Sequence, residues 1–127
     1  ERRIASPEYI KHQVRHAIDR NKIMHYRSYL LWQQVQHIAE LLNSRDLFAW
    51  DVLALGSDYD GLIDTLNAFW TEKEIPYLAD FFERHAHNYM NGRGQSVLSP
   101  FNRLTADEIT ARIFRDNAMK FLRNNFK

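Results

Sequence analysis

Cysteine is absent from all 127 residues, which excludes disulfides, thiolate nucleophiles and cysteine-ligated zinc and leaves the redox compartment open. No apolar run approaches the roughly 18 to 20 residues that a membrane-spanning helix needs, and no short apolar segment with a small-residue cleavage site opens the chain. A soluble chain is therefore expected, in cytoplasm or periplasm. Nor does one sign of charge dominate: 17 Lys and Arg against 16 Asp and Glu leave a net charge of +1, too small to argue for nucleic acid as a partner. What the chain does have is 45% hydrophobic residues, enough to bury the core of one compact segment and to set aside disorder and collagen-like structure. It opens at Glu1 without an initiator methionine, as a domain excised from a longer protein would.

The charge is uneven along the chain. Residues 1–27 hold seven Lys or Arg (Arg2, Arg3, Lys11, Arg15, Arg20, Lys22, Arg27) against three acids (Glu1, Glu8, Asp19), so a helical binding module with a basic N-terminal part is one reading. Ser6 and Pro7 have the pattern of an N-cap and first helical position, and Ile10, Val14, Ala17 and Ile18 continue an amphipathic stripe to a predicted end near Asn21. A second helix is expected from about Tyr26 to Leu42, a third from Pro76 to about Tyr89, and a fourth after Thr105. There Glu108 completes a capping box and Leu104 and Ile109 form a hydrophobic staple. The last helix carries Ile113 and Phe114, is expected to be disturbed around Asp116 and Asn117, and resumes through Phe121 and Leu122. Residues 91–103 read as a loop.

Between the second and third helices lies "DVLALGSDYDG", residues 51–61. Its first part is short, apolar and bounded by Asp51 and Gly56, which predicts a buried parallel-type strand over 51–56. Alternation along that strand would put Val52, Ala54, Gly56 and Asp58 on one face and Leu53, Leu55 and Ser57 on the other. A face of small residues opposite a face of leucines suits a stave of a closed parallel barrel, with Asp58 at the C-terminal mouth where such barrels place their chemistry. A carboxylate there can ligate a metal or move a proton of metal-bound water. The plainer alternative is that Asp58 and Asp60 only shape a turn between glycines. A third reading, an oligomer, pairs residues 52–55 between copies.

Six histidines add a metal alternative. His12 and His16 are four apart on one helix, a spacing that can hold zinc, although no HExxH pattern surrounds them. His85 and His87 form an His-x-His pair on a helix, and His25 and His37 read as surface or boundary residues. The aromatic pairs Phe48/Trp50, Phe69/Trp70 and Phe81/Phe82 read as core.

Residues 37–42 ("HIAELL"), 51–61, 75–82 ("IPYLADFF") and 104–122 ("LTADEITARIFRDNAMKFL") together resemble the C-terminal part of the membrane dipeptidase family, the renal-dipeptidase-like branch of the amidohydrolase superfamily. That family's last barrel strand ends in a Gly-Ser-Asp-Phe-Asp-Gly type motif, matched here by Gly56, Ser57, Asp58, Tyr59, Asp60 and Gly61. Its closing helix follows a Gly-Asn segment, which Asp116 and Asn117 resemble with Asp in place of the glycine. The resemblance implies an α/β fold, the C-terminal part of a TIM (β/α)8 barrel running through residues 1–127 as a single segment. It implies a hydrolase with two zinc ions acting on a dipeptide or small amide. Asp58 would be the catalytic aspartate that handles the proton of the attacking water and of the leaving amine, and Tyr59, Asp60 and Gly61 would shape the substrate loop. A complete barrel needs about 250 residues. The metal ligands would then lie on strands outside this chain, and the chain alone is expected to be inactive.

Overall fold

The computed structural model describes residues 7–56 and 75–126. The elements are α1 (Pro7–Ser44), α2 (Ile75–Met90), α3 (Arg93–Val97), a 3₁₀ turn (Pro100–Asn102), α4 (Ala106–Ala111), a π turn (Arg112–Asp116) and α5 (Asn117–Asn125). Ser6, the expected N-cap, lies outside the described residues.

The two N-terminal helices predicted from the sequence are one. Residues 20–26 contain neither glycine nor proline, so nothing there prevents the i to i+4 ladder from continuing. A polar Asn21 costs a helix interior well under about 1 kcal/mol, and Met24, buried against Leu78 and Phe81, pins the chain on both sides of the expected break. Met24, Ser28, Trp32, Val35 and Ala39 then form the single buried stripe of α1. The helix ends in a Schellman motif: the Leu47 N–H donates to the Leu42 carbonyl and the Asp46 N–H to the Asn43 carbonyl, each at 3.0 Å. Asp46 holds the left-handed position, φ 58°, that glycine commonly takes.

α2 runs in the same direction as α1. Near its start Leu78 and Phe81 meet Met24, and near its end the Tyr89 hydroxyl donates to Glu40 at 2.8 Å. Trp32 stands at the centre of the core, stacked on Trp50 at 6.4 Å and edge-on to Phe82 at 5.1 Å. α3 turns back over the end of α2, where Gly94 is required: a Cβ there would come within 3.0 Å of both the ring and the backbone of Tyr89. The expected 91–103 loop thus contains a short helix and a 3₁₀ turn, ordered by a polar knot. Asn102, fully buried, accepts the Ala49 N–H at 2.9 Å and donates to Asn43 Oδ1 at 2.8 Å and the Leu47 carbonyl at 3.1 Å, while its own carbonyl receives the Trp50 indole N–H at 2.8 Å.

The α/β expectation is overturned. No β-strand occurs among the described residues, and the fold they form is all-helical, so residues 51–56 are not a stave of a TIM (β/α)8 barrel. The physical reason is visible in the hydrogen bonding. A buried barrel stave pairs its backbone groups with neighbouring strands, whereas here the carbonyls of Trp50 and Leu53 both accept from the Asn117 side chain, at 2.8 and 2.7 Å, and the Leu55 N–H donates to the Ile113 carbonyl at 2.9 Å. Burial still alternates along the segment, but the small-residue face expected to line a barrel is the exposed one: Leu53 and Leu55 are half-buried, and Val52, Ala54 and Gly56 are exposed. No helix among the described residues is long and apolar enough to cross a membrane.

Candidate functional site

Residues 51–56 lead into the Gly56 to Gly61 motif, and their placement depends on the last helices. Ile109, Ile113 and Asn117, spaced by four, all face inward, and the widened π turn lies within that run; such turns are often found at functional positions. The turn presents the Ile113 carbonyl to Leu55, and the buried Asn117 amide ties down the two carbonyls described above. At the outer edge the Arg112 guanidinium pairs with the Asp51 carboxylate and lies over the Phe48 ring at 5.2 Å. These six residues without regular secondary structure are therefore anchored at both ends. Asp58, Tyr59, Asp60 and Gly61 lie outside the described residues, as do Phe69 and Trp70. Gly56 is exposed, and a Cβ added to it would meet nothing within 4 Å, so packing on the described residues does not demand glycine there.

A second polar cluster, between α1 and α2, leaves no pattern in the sequence. Ser28 is fully buried; its hydroxyl lies 2.9 Å from the His25 carbonyl, to which it donates, and 2.9 Å from His85 Nε2. With the hydroxyl proton directed at that carbonyl, Nε2 of His85 is the donor to Ser28 Oγ. The His85 ring is met edge-on by His25 at 4.7 Å and by Tyr29 at 5.2 Å. This is not the geometry of an activated serine, because the hydroxyl is inaccessible, its proton is engaged by backbone, and no carboxylate among the described residues orients the imidazole. The cluster joins the helices instead.

That role carries a pH dependence. Burial, then the neighbouring His25 and Arg84, hold the His85 pKa below the ordinary imidazole value of 6.5, against a smaller opposite effect of the His25 backbone. The unfolded chain therefore binds the proton more readily than the folded one. Stability is complete above the ordinary imidazole range, declines as pH falls through it, and levels off below the depressed folded value. Thermal midpoints taken from about pH 8 to about pH 5 should fall accordingly. His85→Gln, which keeps a donor for Ser28 and removes the titration, should flatten that slope; an unchanged slope would assign it elsewhere.

Beside this cluster, Tyr29, Gln36, Asn88 and Arg93 help to line an open cleft of about 380 Å3. Its charges are already matched: Arg93 Nε meets Glu40 Oε1 at 2.7 Å, and that guanidinium holds the Glu40 carboxyl below the usual carboxylate range. The His-x-His pair does not converge, since His85 is buried while His87 is exposed and bonded to Asn91 at 2.9 Å. His12, His16, His25 and His37 are exposed on α1. No group of three or more His, Asp or Glu side chains among the described residues is placed to hold a metal, so the described residues do not fit a zinc centre.

Comparisons with protein families, with curated proteins and with solved structures find no match.

Proposed function

We propose that the chain is the C-terminal segment of a metal-dependent hydrolase of the membrane dipeptidase kind, with Asp58 as its acid–base residue. The motif from Gly56 to Gly61 suggests the chemistry, and one feature of the fold supports the reading. Asn117, the residue of the closing helix that resembles the family's asparagine, bonds directly to the backbone that leads into the motif, at carbonyls 67 and 64 residues away in sequence. Two separate parts of the resemblance are thus in physical contact.

In this reading the Asp58 carboxylate takes a proton from the attacking water as the carbon–oxygen bond forms. It returns the proton to the nitrogen as the carbon–nitrogen bond of a dipeptide or small amide breaks. Tyr59, Asp60 and Gly61 border the bound substrate. The zinc ions implied by the resemblance would be held by residues other than those described, and this chain is assigned only the proton transfer.

The full gene product is expected to hydrolyse dipeptides, to lose that activity on chelation and to recover it with added zinc, while the 127-residue chain alone shows none. A full product that leaves dipeptides and small amides intact at every zinc concentration would sink the proposal.

A further inference from the structure

The buried stripe of α1 does not stop where α2 stops covering it. Met24, Ser28 and Val35 of that stripe, with the half-buried Leu31 that packs beside Trp32, follow one another at alternating steps of four and three, the spacing of a helix–helix seam. Continued toward the start of the helix, the same alternation passes through Asn21, Ala17, Val14 and Ile10. There the seam is bare: Ile10, Val14 and, at its edge, Ile18 are 52%, 53% and 49% exposed. Along residues 7–23, about 25 Å of helix at 1.5 Å per residue, the apolar side chains that extend this established interface thus remain exposed.

The charges beside the bare seam have one sign. At 100° per residue, Lys11 falls along one edge with Lys22 a little further out, and Arg27, just beyond the bare stretch, falls along the other edge, whereas the acids of this stretch, Glu8 and Asp19, fall on the far side. A second copy of the chain would bring more cations to those edges and no acid. We propose that this half of α1 is a docking surface for an amphipathic helix of a partner protein, with apolar residues at heptad spacing and Glu or Asp along its edges. The seam favours a helix over nucleic acid or a membrane surface, because its other half already packs in that way. This inference is independent of the hydrolase reading.

The probe is a synthetic peptide of about three heptads with Leu at the seam and Glu at both edges; its twin carries Lys in place of Glu. The acidic peptide should bind the protein one to one, at least about tenfold more weakly in roughly 0.5 M than in roughly 0.05 M salt, and the basic twin should not bind. Ile10→Ser, Val14→Ser and Ile18→Ser together should abolish binding and leave the melting temperature unchanged, since all three side chains are exposed. Lys11→Glu with Lys22→Glu should shift the preference toward the basic peptide, a readout that a loss of folding could not imitate. No binding of the acidic peptide, or equal binding by the triple variant, would overturn the proposal. So would a dimer in sedimentation of the protein alone, which gives the face to a second copy, or protection of Ile10 and Val14 from solvent in the monomer, which gives it to the chain itself. Retention on DNA with no affinity for the peptide would equally refute it.

Discussion

Trp32→Ala should cost about 3–5 kcal/mol of folding stability, the range for a large aromatic removed from a closed core. Trp32 is 1% exposed and joins two parts of the core: Trp50 from the segment after α1, and Phe82 and Tyr89 from α2, the last at 5.5 Å. Its neighbours are aromatic rings with restricted rotamers, so the space would collapse poorly and the cavity cost would stay near the upper end. In a domain of this size such a loss corresponds to a fall of roughly 10–20 °C in melting temperature. Trp32→Phe, which restores most of the volume without the indole N–H that Gln36 accepts at 3.1 Å, should recover more than half of it. A loss below about 1 kcal/mol for Trp32→Ala would mean that Trp32 is not enclosed as described.

Asn102→Ala should cost nearly as much, about 3 kcal/mol, by another route. Its side chain fills no large volume but is the partner of three groups: the Ala49 N–H, Asn43 Oδ1 and the Leu47 carbonyl. Truncation leaves a buried backbone N–H without an acceptor, and orphaned buried groups cost about 1–3 kcal/mol each. Asn43 is coupled to the same knot, accepting from the Ser99 N–H at 2.9 Å and donating to the Val97 carbonyl at 3.2 Å. The losses from Asn43→Ala and Asn102→Ala should therefore fall short of additivity by about 1 kcal/mol or more, measured by urea unfolding of the double mutant; strict additivity would show that the two amides do not form one network.

The parts of the fold that could be read in the sequence are those decided by local chemistry. Pro7 marks the first residue of α1, and the expected span from Pro76 to Tyr89 lies within α2. The disturbance expected near Asp116 is the π turn. Thr105 does adopt the extended backbone of an N-cap, yet its side chain makes no capping bond; it lies against Asp107 instead, whose carboxyl it holds below the usual range. What could not be read depends on contacts distant in sequence. The burial of residues 52–55 alternates with a period of two, but whether their backbone meets strands or a lone asparagine 64 residues on is not written locally. The asparagine knot and the Ser28–His85 pair leave no periodic signal, since each depends on one polar residue meeting another across more than 50 positions. The barrel expectation rests on the same run and on family likeness, and the helical packing of the described residues corrects it.

Of the candidate site, the sequence supplied Asp58 and its neighbours, and the structure supplied what holds the approach to them: Asn117, the π turn and the Arg112–Asp51 pair. The most direct test is kcat/KM for zinc-dependent dipeptide hydrolysis by the full gene product carrying Asp58→Asn. Loss of a positioned acid–base group predicts a fall of about 10²- to 10⁴-fold with the melting temperature unchanged; an unchanged kcat/KM would contradict the assignment of Asp58.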